Sequence, residues 1–192
     1  MKKKTIIIVV VVAVIVLLLL TLIKNGVKSY NNLVSLEESV NNKYAAISTQ
    51  LQRRADLIPN LVSTVKGYVA YEEEIFTKIA EARQNLLSAS NPKEAAAANE
   101  VLNQTLTQVL ALSESYPELK GNTEFTQLMD ELSGTENRIA VARKDYNDVT
   151  ETYNKTIKQI PTVFFANMLG FETKEYFQAD ESANKVPNVS FE

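Results

Sequence analysis

An apolar run from Ile6 to Ile23, broken only by Thr21 and preceded by Lys2-Lys3-Lys4, limits most severely what this chain can fold into. At helical rise it is roughly 27 Å long, close to the hydrocarbon thickness of a bilayer. A cleavable secretory signal has a shorter apolar region, about 7–15 residues, and ends at small residues. This run is longer, and Leu22, Ile23, Lys24 and Asn25 offer no Ala-x-Ala site. The expectation is an uncleaved, single-pass transmembrane helix at residues 6–23 after a basic segment at 1–4. Three lysines precede the span, whereas Lys24 and Lys28 behind it are diluted by Glu37 and Glu38. The positive-inside rule then puts the N-terminus in the cytoplasm and the remainder on the exoplasmic side.

Beyond the span the chain is acidic. The whole sequence carries 20 basic and 23 acidic side chains, and three of the lysines lie before the span. Such a domain lacks the basic footprint that binds phosphate backbones, so no nucleic-acid partner is expected. The chain has no cysteine and no histidine. Disulfides, lipoprotein attachment, thiolate zinc sites and cysteine nucleophiles are therefore excluded, as are Ser-His and Cys-His catalysis and imidazole metal ligands. Carboxylate-only or lysine chemistry remains, and no spacing supports either. The chain is read as non-catalytic, without a cofactor or metal.

Periodicity along residues 28–160 is helical throughout. Leu33, Leu36, Val40, Tyr44, Ile47 and Leu51 step by three or four residues, which marks one face of an amphipathic helix. It is expected to be nearly continuous with the span and to end near Arg54. Asp56 would cap a second helix with Pro59 in its first turn, a true break being preferred to a kink at Pro59. Along this second helix, residues from Leu61 through Glu72 to Leu86 keep the alternation. Asn91-Pro92-Lys93-Glu94 is a good start for a third helix, which should stop at Tyr116-Pro117. From Asn122 the series Phe125, Leu128, Leu132, Thr135, Ile139, Ala142, Tyr146, Val149, Tyr153, Thr156 and Ile160 holds a 3,4 alternation typical of coiled-coil-like packing. No period-two segment suggests a strand. The expected fold is all-α: an N-terminal transmembrane helix followed by an antiparallel four-helix bundle of long helices.

The residues also resemble the LemA family, nearly end to end and in order. The matching stretches are Tyr30-Asn31-Asn32-Leu33-Val34, Leu51-Gln52-Arg53-Arg54-Ala55-Asp56-Leu57-Ile58-Pro59-Asn60-Leu61-Val62 and Val65-Lys66-Gly67-Tyr68. Tyr116-Pro117-Glu118-Leu119-Lys120, Gly134-Thr135-Glu136-Asn137-Arg138-Ile139-Ala140 and Ala142-Arg143-Lys144-Asp145-Tyr146-Asn147 come next, then Tyr153-Asn154, Gly170-Phe171 and Tyr176-Phe177. The resemblance implies a bacterial protein of the cytoplasmic membrane with a short anchor, a four-helix domain and no established activity. Family members often neighbour a gene for a membrane zinc protease, which implies a role in envelope quality control with that protease as a partner. Tyr44 stands where the family commonly has tryptophan.

Three clusters are candidate sites. Arg53, Arg54 and Asp56 are expected at the membrane-distal tip, either as a helix cap with solvated arginines or as a platform that docks a protein partner. Glu72, Glu136, Arg138 and Arg143 are expected to form a structural ion network in which Arg138 bridges Glu72, with Arg54 too far up to join. Helix four outruns the exoplasmic part of helix one, so its end should return to the membrane surface. The apolar segment 161–177 begins there. Val163, Phe164, Phe165, Met168, Leu169 and Phe171 would either plug the base of the bundle or make a second, interfacial contact with the lipid bilayer. Residues 178–192 read as a flexible polar tail. The functional expectation is an interaction, scaffold or adaptor protein of the cell envelope, able to form homo-oligomers. The alternative is an exoplasmic ligand-sensing bundle acting through a membrane partner.

Overall fold

The computed structural model describes residues 2–69 and 72–178. Within them the chain is all-helical: α1 Lys2–Lys66, α2 Glu73–Ser88, α3 Pro92–Glu114, α4 Pro117–Lys120, α5 Thr123–Lys158 and α6 Thr162–Leu169. Residues 171–178 are extended without a ladder, and the described residues contain no strand. The polar tail, expected at 178–192, lies beyond the described residues after Gln178.

Local chemistry explains the boundaries. Asn91 Oδ1 accepts from the Glu94 backbone N–H at 2.8 Å while Pro92 opens α3, and the Glu94 carboxylate reaches back to the Ser90 N–H at 2.9 Å. Asn122 Oδ1 caps α5 through the Phe125 N–H at 2.8 Å. Gly170, at φ 78°, ends α6 in the left-handed region, where a side chain would be strained.

One expectation fails at Pro59. The chain does not break near Arg54–Asp56; α1 runs through Pro59 to Lys66, and α2 starts at Glu73. An internal proline removes one backbone donor and leaves the carbonyl four residues earlier unpaired. That carbonyl belongs to Ala55, which is fully buried, and Arg83 Nε of α2 donates to it at 2.9 Å. A side chain from another helix thus replaces the missing intrahelical donor. Asp56, no longer a cap, accepts from Gln52 Nε2 one turn earlier in the same helix.

The structure divides into two compact units, residues 1–41 with 149–174, and residues 42–148 with 175–192. In the second unit the core is built from Ile47, Ile58, Leu61 and Val65 of α1, Ile79 and Ala82 of α2, Leu102 and Val109 of α3, and Leu132 and Ile139 of α5. Lys43 pairs with Asp145 at 2.9 Å, Arg138 Nε with Gln50 at 3.0 Å, and Arg53 with Glu131 at 2.5 Å. Partners advance along α1 as they recede along α5, so this pair is antiparallel. Tyr44 rests against Tyr146 with ring centroids 5.7 Å apart. In the first unit Leu33 and Val40 of α1, Tyr153 and Ile157 of α5 and Ala166 of α6 are buried.

The α5 seam also departs from expectation at its end. Phe125, Leu132, Ile139, Tyr146 and Tyr153 are all buried, but Thr150 and Ile157 then replace Val149 and Thr156 as the most buried companions; Ile160, expected to close the seam, lies past the end of α5 at Lys158 and is 80% exposed. A helix of 3.6 residues per turn drifts against a seven-residue repeat, so the buried stripe rotates along a helix this long.

Candidate functional site

Leu33, Val40, Ile47, position 54 and Leu61 succeed one another at seven-residue intervals down α1, and four of the five are apolar core. The fifth is Arg54, 3% exposed. Burying a guanidinium is costly unless its donors are met. Arg54 Nη1 donates to Asn99 Oδ1 at 2.7 Å and to the Glu136 carboxylate, and Nη2 donates to Asn103 Oδ1 at 2.5 Å. Asn99 Nδ2 also donates to Glu136 at 3.2 Å. Arg54 Nε is buried without an acceptor. Burial pulls the Arg54 pKa below its ordinary value, and the Glu136 charge pushes back against that. The cluster ties α1, α3 and α5 together beside a cleft of about 260 Å³ whose other walls include Leu106, Leu110, Met129 and Leu132. Thr107 and Ser133 also line the cleft, and the guanidinium acts as a clasp between the three helices.

The predicted site residues are redistributed accordingly. Arg54 and Glu136, placed in separate clusters by the sequence, meet. Arg138 bonds Gln50 and Glu131 rather than Glu72, and among the described residues Glu72 makes no ion pair. Glu72 sits at the N-cap of α2, not on a helix seam. Arg143 joins no ion pair among the described residues, while Asp145 pairs with Lys43. Arg53 and Asp56 are exposed on the flank of α1, so the expected tip of Arg53, Arg54 and Asp56 is not a tip. The cause is the length of α1: ending it at Lys66 rather than near Arg54 shifts every register counted from its end.

Asparagines outside the predicted clusters hold the extended segment. In the second unit Asn147 both accepts from the Phe177 N–H at 2.9 Å and donates to its carbonyl at 3.0 Å, while Tyr146 OH donates to the Glu175 carbonyl at 2.7 Å. Phe177 is buried as a result. In the first unit Asn154 makes the same pair of hydrogen bonds with the Lys174 backbone, donating to its carbonyl and accepting from its N–H, each at 2.8 Å. Tyr146-Asn147 and Tyr153-Asn154 repeat one dipeptide at heptad spacing. That repeat was a signal in the sequence, but nothing in it said that the ligand would be the chain's own backbone.

The first unit also contains the apolar end of the molecule. Every large side chain from Ile6 to Ile23 is exposed. Helix α6 lies against the residues just past them: the Phe165 ring fits over Gly26, where an added Cβ would come within 3.0 Å of it, and Phe171 meets Tyr30 edge-on at 6.0 Å. Ala166 is buried beneath. The opposite face of α6 leaves Phe164 67% and Met168 72% exposed, one turn apart, and Ile160 is exposed in the turn before the helix. Between the two faces runs a cleft of about 520 Å³ lined by Leu22, Ile23, Gly26, Val27, Tyr30, Phe165, Met168 and Leu169. Of the segment expected to plug or to touch the membrane, Phe165 and Phe171 pack inward, and Phe164, Met168 and Leu169 do not.

The model of the LemA family matches residues 43–191. Magnetosome protein MamQ 2 of Paramagnetospirillum magneticum is 27% identical over 187 residues, covering 84% of this chain and 68% of its own length. Magnetosome protein MamQ of Magnetospirillum gryphiswaldense is 25% identical with the same coverage. Protein LemA of Metamycoplasma hominis is 24% identical over 152 residues, 79% of this chain and 69% of that protein.

Proposed function

The chain belongs to the LemA family, and on that premise we propose that it is a non-catalytic scaffold or adaptor of a bacterial envelope, fixed in the cytoplasmic membrane by a single span. The observation that carries the reading is α1 itself: a fully exposed apolar segment, Ile6–Ile23, continues as one helix into a polar helical domain. An apolar surface that large is stable only if lipid or protein covers it. We assign the domain as an antiparallel four-helix bundle of α1, α2, α3 and α5, a reading supported by the Arg54 clasp, the Arg83–Ala55 bond and the ion pairs between α1 and α5. The positive-inside rule puts this domain on the exoplasmic face. The absence of histidine and cysteine from the sequence favours binding over catalysis.

The partner sought is another envelope protein. Family resemblance puts a membrane zinc protease first, with a second copy of the chain as the alternative. A photoreactive amino acid at Val141, Val101 or Leu110, all exposed apolar positions on the domain, should yield a discrete protein adduct in intact membranes. Mass spectrometry of the adduct separates protease from self-association. No adduct from any of the three positions contradicts a scaffold role.

A further inference from the structure

We infer that α6 is a second membrane contact: it lies along the bilayer–water boundary with Ile160, Phe164 and Met168 among the lipids, and the cleft beside it receives a lipid acyl chain. The inference rests on the reading of residues 6–23 as a membrane span. Three features of the first unit carry it. The first is exposure: Phe164 and Met168, one turn apart on the same face of α6, are both largely exposed, and so is Ile160 in the turn before the helix, whereas isolated surface apolar residues would scatter. The second is composition, for no charged residue occurs from Ile160 to Phe171. The third is placement. Phe165 against Gly26 and Phe171 against Tyr30 fasten α6 at the level where the apolar run has just ended.

That placement selects the occupant. Leu22 and Ile23 form one wall of the cleft and are also the last residues of the lipid-facing helix. The cleft is therefore continuous with a surface that acyl chains already cover, and a protein filling it would first have to displace them. Its volume lies within the roughly 300–1,000 Å³ typical of small-molecule sites. Lys24 and Lys28 are exposed at the same level, suited to headgroup phosphates, and Tyr30 takes the position of an interfacial aromatic. An interfacial helix buries its apolar face about 5–10 Å into the headgroup–acyl boundary, a depth that this stripe can reach.

The chain contains no tryptophan, so single introduced tryptophans report without background. The full chain carrying Phe164→Trp, Met168→Trp, Leu18→Trp or Val101→Trp is reconstituted into phosphatidylcholine–phosphatidylglycerol vesicles whose acyl chains bear bromine, a contact quencher. Phe164→Trp tests the stripe, and Met168→Trp tests both the stripe and the cleft it lines. Leu18→Trp is the reference inside the span and Val101→Trp the reference on the domain. Helix content by circular dichroism confirms that each variant is folded. The expected result is that Phe164→Trp and Met168→Trp lose roughly half or more of the emission lost by Leu18→Trp, as insertion to acyl depth requires, while Val101→Trp is unchanged. A vesicle-bound, folded chain in which both α6 variants are quenched no more than Val101→Trp overturns the inference and leaves the anchor standing. A chain that remains in the supernatant, with Leu18→Trp also unquenched, overturns the anchor and the inference together. Tryptophans that are shielded but unquenched, and become exposed on dilution into excess lipid, overturn it in favour of contact between copies.

Discussion

Replacing Arg83 by methionine should destabilise the domain only while Pro59 is present. The Ala55 carbonyl is fully buried and lacks an intrahelical donor because Pro59 has no N–H; Arg83 Nε supplies the bond instead. Methionine keeps the unbranched apolar stem of arginine out to the position of Nε and has a similar helix propensity, so Arg83→Met removes chiefly the guanidinium donor. A buried acceptor left unsatisfied costs about 1–3 kcal/mol. For a chain of this size that corresponds to a fall in Tm of roughly 2–10 °C. Pro59→Ala restores a backbone N–H to the same carbonyl. In that background Arg83→Met should cost no more than about 0.5 kcal/mol, leaving a coupling of about 1–2 kcal/mol. The four proteins of the cycle are unfolded thermally in detergent or nanodiscs and monitored by circular dichroism. Equal losses from Arg83→Met with and without Pro59 would refute the reasoning, because Arg83 would then act through packing alone.

Neighbouring arginines should differ sharply. Arg54→Ala strands Asn99 and Asn103 and leaves Glu136 to rehydrate, at about 2–4 kcal/mol, whereas Arg53→Ala, losing a surface pair with Glu131 from a side chain 59% exposed, should cost under about 0.5 kcal/mol; comparable shifts in Tm would show that the Arg54 clasp is not buried. The Lys43 ammonium holds the Asp145 carboxyl below its ordinary pKa through a hydrogen bond and its charge. The sign comes from the depressed folded pKa: the pair's contribution is present above the unfolded-state value and is lost as pH falls through the lower folded one. In a carboxyl-carbon NMR titration Lys43→Ala should therefore move Asp145 upward towards the ordinary aspartate range, and an unchanged titration contradicts the pairing.

The starts of α3 and α5 were legible because each is coded by contiguous residues: Asn91-Pro92 with Glu94, and Asn122 before Phe125. The long heptad of α5 was legible for the same reason, until drift made Thr150 and Ile157 the buried companions and the helix ended at Lys158, short of Ile160. Pro59 misled because its local penalty is removed by Arg83, more than twenty residues further along the chain. Every register derived from a break at that proline was then displaced, so Arg138 was set against Glu72 and Arg54 was kept apart from Glu136. The heptad series Leu33, Val40, Ile47, Arg54, Leu61 already put a guanidinium at a core position, but its acceptors lie on α3 and α5, and spacing within α1 cannot reveal them. The Tyr-Asn repeat of α5 was visible too. Its purpose was not, since an asparagine that clamps an extended backbone looks in sequence like any polar residue beside a seam.

The intact mass of the protein recovered from carbonate-washed bacterial membranes tests the central claim most directly, because it asks whether the apolar run stays on the chain and in the bilayer. A retained anchor predicts a pelleted species at the full 21.4 kDa of the sequence. Recovery in the supernatant, or a pelleted species shortened by the mass of its first twenty-odd residues, would contradict it.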